Sequence, residues 1–231
     1  VPSSDADTCI ISLTDVSLSY ARGPETVHAV RRVTWQVPSA HLAVITGASG
    51  SGKTTLLNLM AGIERPHYGA VTVLGEGISE WPERERAAFR LKHIGVVFQD
   101  HNLVTEFSAV ENVELPLVLS GMSRAAARAE AEQALERVGL SGEVRARPQQ
   151  MSGGQRQRVG LARALAGERK IVLADEPTGS VDAATANDIF QRLRDLAEGG
   201  LTVVLVTHDQ RAVPFGHSVL VMVDGEFGEA A

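Results

Sequence analysis

The stretch Gly47-Ala48-Ser49-Gly50-Ser51-Gly52-Lys53-Thr54 decides how the rest of the chain is read. It follows an apolar, β-branched run at 42–46 and precedes a helix-length segment at 53–62, so strand, glycine-rich turn and helix succeed one another directly. Glycines let a backbone wrap closely around phosphate oxygens, and successive N–H groups at a helix start attract negative charge. In that setting Lys53 reaches β- and γ-phosphates and the Thr54 hydroxyl is a ligand for Mg²⁺. A nucleoside triphosphate bound on an α/β scaffold is the expectation.

Outward from this loop, short apolar or alternating runs at 10–19, 29–37, 42–46, 70–74, 94–98, 171–174, 201–206 and 218–223 read as strands. Helix-length segments at 53–62, 123–139, 155–166 and 184–197 separate the later ones, which is the alternation of a mostly parallel sheet. The stretch from about 100 to 147 breaks the pattern. It holds no convincing strand but has an Ala/Arg/Glu-rich run at 124–137, so an inserted helical lobe is expected at 100–160, with Pro116 ending or bending a preceding helix. Within the lobe the apolar segment 103–119 holds more Val and Leu than a solvated loop, so part of it is expected to pack, in the lobe's own core or on another surface.

The 231 residues are 44% apolar, enough for one substantial core, and 22 Lys+Arg against 28 Asp+Glu leave a net charge of -6. That balance opposes general nucleic-acid binding. The single cysteine, Cys9, forms no internal disulfide and suits a reducing compartment. No apolar run has the roughly 20 residues of a membrane span. Residues 1–7 are polar, lack the order of a secretory signal and are expected to be disordered or extraneous to a single domain over 8–228. His28, His41, His67, His93, His101 and His217 form no metal-ligand spacing and read as surface or capping residues.

At 171–176 a buried-looking strand ends in Asp175 and Glu176, where open α/β sheets hold their ligands. Alone, two acids there read as a solvated helix start; beside the phosphate loop, Asp175 becomes a Mg²⁺ ligand and Glu176 the group that polarises attacking water. Ser152-Gly153-Gly154-Gln155 opens another helix and alone reads as an ordinary cap.

Together these segments resemble the nucleotide-binding subunit of ATP-binding cassette (ABC) transporters, from Cys9 to about Gly225. Gly47–Thr54 is similar to the family's P-loop, Gln99 to its Q-loop glutamine, Met151–Gln155 to its signature, Asp175-Glu176 to Walker B, Ser180-Val181-Asp182 to the D-loop and His208 to the switch histidine. Met151 stands where Leu is usual, and Val181 varies the D-loop. The resemblance implies a P-loop NTPase fold with an N-terminal antiparallel β part. It implies ATP and Mg²⁺ as cofactors, ATP held by Tyr20 and Gly47, Ala48, Ser49, Gly50, Ser51, Gly52, Lys53, Thr54 and Thr55, and metal held by Thr54, Gln99 and Asp175. Tyr20 keeps a second reading as a rim or core residue.

It further implies Glu176 and His208 as catalytic residues, with Ser152, Gly153, Gly154, Gln155 and Asp182 touching ATP held by a second nucleotide-binding subunit. An integral membrane permease is the implied partner, no nucleic acid is expected, and the expected location is the cytoplasmic face of the membrane. The stretches 62–66, 98–103, 107–113 and 174–179 resemble the branch serving lipoprotein release, macrolide export and cell division. A mechanical regulator of an extracytoplasmic partner is therefore the alternative to transport. Repair-type and translation-type members usually carry long insertions or two cassettes, which this chain does not display.

Overall fold

Two sheets share the strands, and their surroundings follow from the hydrophobic pattern. The computed structural model describes residues 9–23, 25–179 and 181–228, so the expectation for residues 1–7, and Ser180, fall outside the described residues. In chain order the strands are β1 (Cys9–Arg22), β2 (Glu25–Pro38), β3 (Leu42–Thr46), β4 (Tyr68–Val73), β5 (Glu76–Gly77), β6 (Ile94–Val97), β7 (Ile171–Asp175), β8 (Thr202–Thr207), β9 (Ser218–Val223) and β10 (Glu226–Gly228). The helices are α1 (Lys53–Met60), α2 (Glu83–His93), α3 (Ala109–Leu119), α4 (Arg124–Arg137), α5 (Gly153–Leu165) and α6 (Ala183–Glu198).

An antiparallel sheet in the order β2-β1-β4-β5 lies beside a six-stranded sheet in the order β10-β9-β3-β8-β7-β6, parallel except for β10 at its edge. Every residue of β3, β7 and β8 is buried, as a parallel sheet covered on both faces requires. Alternate side chains serve separate cores. Ala43, Ile45, Leu173, Val204 and Val206 pack with α1 and the antiparallel sheet, while Val44, Val172, Ala174, Val203 and Leu205 pack with α3, α4, α5 and α6. Because side chains alternate with period 2, slipping one strand by a residue would exchange the two cores.

One helix was not expected from the sequence pattern, and another runs past the proline expected to end or bend it. α2 carries Glu83 and Glu85 in its first turn and Arg90, Lys92 and His93 in its last, matching the helix dipole at both ends rather than presenting an apolar stripe. α3 opens on a Ser108/Glu111 capping box and runs through Pro116 to Leu119, so this proline stands at the start of the last turn rather than ending the helix. Ala109, Val110 and Val113 of α3 are buried in the helical core, which settles those three as packing residues; Val104 stays 36% exposed.

Among the histidines one departs from expectation, while His28, His67 and His217 are exposed. His101 is buried, and His41 and His217 stack with ring centroids 5.0 Å apart, His217 Nδ1 accepting the Leu42 N–H at 2.9 Å. Among the described residues no group of three or more His, Cys, Asp or Glu converges on a metal-sized space. No helix among them is long and apolar enough to cross a membrane.

One close approach fixes the helical layer to the sheet. A Cβ at Gly95 of β6 would lie 2.0 Å from the Ala164 carbonyl oxygen, so the end of α5 rests directly on the strand backbone. Gly95→Ala is therefore expected to cost about 1–3 kcal/mol or more by forcing the two elements apart. Gly142→Ala, facing open space, is expected to change stability by less than about 0.5 kcal/mol. Urea denaturation midpoints of the two variants check both.

Candidate active site

Parallel register gathers the chemistry at one edge. Thr46 lies beside Thr207, Asp175 beside Val206 and Val97 beside Ala174, so the loops after β3, β6, β7 and β8 open together beyond the strands' carboxyl ends. There they frame a cleft of about 490 Å³ lined by Ser49, Lys53, Thr54, Gln99, Glu176 and His208, with Tyr20 and Thr55 on its wall. A larger cavity of about 740 Å³ lies by the opposite ends of β7 and β8 and contains none of the expected site residues.

The glycine loop is held by backbone. At Gly52, φ is 104° and a Cβ would fall 2.0 Å from the Ala29 carbonyl oxygen; at Gly47 it would fall 2.3 Å from that of Met222. Any side chain at either place would push the loop off β2 or β9. The Gly225 N–H donates to the Ser51 carbonyl at 3.0 Å, and the Lys53 ammonium donates to the carbonyls of Gly47 and Ala48, each at 2.8 Å. The lysine thus lies along the inner wall of its own loop, buried, with its charge at the cleft floor.

Asp175 ends β7 at 6% exposure. Burial pushes its carboxyl above the ordinary range and the neighbouring Glu176 charge adds to that, while a hydrogen bond from Thr54 and the Lys53 charge oppose it. Its Oδ1 is buried without a hydrogen-bond partner. A hard oxygen donor left unpaired beside a threonine hydroxyl fits a Mg²⁺ ion, which prefers carboxylate, hydroxyl and phosphate oxygens.

Glu176 sits at φ 46°, an uncommon left-handed value for a residue with a side chain, and its N–H donates to the Val206 carbonyl at 2.9 Å. Its carboxylate is tied down on both oxygens: Oε2 accepts the Thr207 hydroxyl at 2.8 Å, and Oε1 accepts the His208 N–H at 3.0 Å and meets His208 Nδ1 at 2.8 Å. The carboxylate keeps 12% exposure and the imidazole 71%, so the pair reaches the cleft from its floor and its rim. The arrangement can orient a water and place a donor near a terminal phosphoryl group.

Other expected residues take definite places. Gln99 is exposed on the loop after β6 and lines the cleft. Tyr20 is 39% exposed; burial raises its phenol above the ordinary value, and a hydrogen bond with Thr55 opposes the rise. Ser152, Gly153, Gly154, Gln155 and Asp182 do not line this cleft. Ser152 and Gln155 form the capping box of α5, and Asp182 caps α6 by accepting the N–H groups of Ala184 and Thr185, both at 3.0 Å, which holds its carboxyl below the usual range. The two turns abut, since a Cβ at Gly154 would meet Val181 at 3.3 Å. A recess of about 400 Å³, lined by Thr178, Val181 and Arg211, shares Glu176 and His208 with the cleft.

Sequence reading missed Thr207, Val27 and Ala29. Thr207 stands directly before His208, and a hydroxyl at the end of a buried strand is a signal that it bonds something polar there. Val27 and Ala29 line the cleft from β2, whose pairing with β1 no local pattern reveals.

Comparison with known proteins bears on the family and the fold. The family model described as ABC transporter matches residues 30–179. The lipoprotein-releasing system ATP-binding protein LolD of Hahella chejuensis is 43% identical over 87% of this chain and 88% of its own. The macrolide export ATP-binding/permease protein MacB of Hyphomonas neptunium is 39% identical over 94% of this chain, which spans only 34% of that longer protein. A dimeric post-hydrolysis state of the ATP-binding cassette MJ0796 bound to ADP and Pi superposes with a TM-score of 0.91 at 37% identity, covering 95% of this chain and 97% of that one.

The Asp175 environment makes a prediction about pH. A carboxyl whose folded pKa is raised opposes folding while it is ionised, and that opposition disappears as pH falls through the raised value toward 3.8. Without nucleotide, Asp175→Asn is expected to melt above the parent at pH 7, with the gap closing as the pH falls toward 4. Scanning calorimetry across that range checks it; a variant melting below the parent throughout would contradict the environment described.

Proposed function

The chain belongs to the ABC transporter family, as one of its ATPase cassettes, and on that premise we propose that two such cassettes close around two ATP molecules and drive a separate membrane permease. The reading takes 8–228 as one cassette with its helical lobe at 100–160. The second cassette is another copy or a similar chain, and the assembly sits peripherally on the cytoplasmic face of the membrane.

One observation carries the proposal. The phosphate loop, Gln99, Glu176 and His208 share a cleft, whereas the Ser152 turn and Asp182 lie outside it on a common surface. A donor-rich helix start that its own nucleotide cleft does not use suits another molecule's phosphates. ADP and Pi in the dimeric MJ0796 cassette support the same reading.

In this reading Lys53 and the loop amides neutralise the phosphates, Tyr20 stacks on the base, and Thr54, Asp175 and Gln99 would hold Mg²⁺. When bound, that ion would draw charge from the phosphate oxygens. Glu176, clamped by Thr207 and His208, takes the proton of the attacking water, and His208 donates to the terminal phosphoryl group. ATP favours the closed pair because Ser152 and its turn amides meet phosphate charge only on closure, which is the differential affinity that shifts a population. The names of the LolD and MacB relatives favour release or export over mechanical signalling.

Lys53→Ala is expected to weaken ATP binding. Glu176→Gln is expected to bind normally, lose about 10²–10⁴-fold in kcat and accumulate as an ATP-bound dimer. Fluorescent-nucleotide titration, phosphate release and light scattering check these outcomes, and parent-like turnover by the Gln variant would refute the role given to Glu176. Ser152→Arg is expected to remove hydrolysis from the facing protomer's site in mixed dimers while sparing nucleotide affinity of the free chain.

A further inference from the structure

The loop that carries Gln99 is gripped by a helix that begins at the Ser152 turn. Arg163, near the end of α5, donates Nη1 to the Asn102 carbonyl at 2.7 Å and Nη2 to the His101 carbonyl at 2.6 Å, across more than sixty residues of sequence. Both loop residues adopt left-handed backbone, with φ 62° at His101 and 46° at Asn102, in a turn closed by the His101 N–H on the Phe98 carbonyl at 3.0 Å, and the Arg163 fork caps both of their carbonyls.

The contact is continuous along α5. One turn earlier Gly160 brings the helix within 4.0 Å of the His101 carbonyl oxygen, measured from an added Cβ, and one turn before that the buried Gln157 faces the His101 ring. The Arg163 fork, two charge-assisted hydrogen bonds to consecutive carbonyls, is a directional grip on this loop. Arg163 has no carboxylate partner among the described residues. Its own carbonyl accepts Nη1 of Arg169, and α5 is seated on β6 at Gly95, the strand that feeds the same loop.

From this juxtaposition we infer that Arg163 is a positioning residue for Gln99, fixing the loop after β6 to α5. Arg163 stands beside Ala164, where α5 rests on β6, so the loop is held to a part of the helix that is itself fixed to the sheet. A misplacement of about 1 Å at a reacting centre can cost on the order of 10²-fold in rate. The inference rests on the hydrolytic reading above and adds to it a residue outside the cleft.

Turnover and nucleotide affinity of the full chain test it, with Arg163→Met, Arg163→Lys, Gln99→Ala and the Gln99→Ala/Arg163→Met pair beside Glu176→Gln as control. Arg163→Met is expected to lower kcat at least about tenfold while the Kd for a trinitrophenyl-ATP probe moves less than about threefold. Arg163→Lys, which can still donate to both carbonyls, is expected to recover most of the loss. In the Gln99→Ala background the Met substitution should add less than about twofold, because both act through one group. Arg163→Gln replaces Met with the same expectations if the Met variant does not fold.

Unchanged kcat, equal losses of kcat and probe affinity, or a full multiplicative loss in the double variant would each overturn the inference. If Glu176→Gln turned over like the parent, the hydrolytic reading would fail instead; if it were dead while every Arg163 variant turned over normally, only the Arg163 assignment would fall.

Discussion

Everything at the nucleotide cleft depends on the register of one parallel sheet. β3 delivers the glycine loop, β7 the two acids and β8 Thr207 and His208, and they meet because Thr46, Asp175 and Thr207 end neighbouring strands at one level. A one-residue slip of β7 would turn Asp175 from the buried side and break the hold of Val206 and Thr207 on Glu176. Hydrophobic burial enforces that register, since the same slip would exchange the apolar side chains of Ile171 to Ala174 between the two cores. Chemistry and stability are set by the same pairing.

Two buried polar atoms without partners lie at the nucleotide end, Ser51 Oγ in the phosphate loop and Asp175 Oδ1 at the metal position. Others lie elsewhere, with Arg86 Nε on α2 and Arg158 Nε on α5. Buried unpaired groups cost about 1–3 kcal/mol each, so the nucleotide end is one of the places where this fold gives up stability. The left-handed conformation of Glu176 falls at the same end.

The sequence made the nucleotide end of the fold readable because chemistry there is local. The glycine loop, the Asp175-Glu176 step and the Ser152 turn each sit at a strand or helix end that pattern alone locates, and 42–46 and 218–223 coincide with β3 and β9. α2 stayed hidden because charge balanced along its axis leaves no apolar stripe, and the reach of α3 past Pro116 because tertiary packing of Val110, Val113 and Leu117 sustains it. Thr207, Ala29 and Arg163 were not legible for another reason. Their roles are contacts across the fold, to Glu176, Gly52 and the carbonyls after Gln99, and no local spacing encodes such a contact.

The central claim is that the groups around the terminal phosphoryl are divided between two facing chains. The most direct measurement is turnover per chain as a function of chain concentration, with sedimentation velocity reporting association under saturating ATP and Mg²⁺. Activity per chain that rises with concentration and levels off with the dimer fraction is the predicted result. Activity per chain that stays constant down to concentrations where only monomers sediment would contradict it.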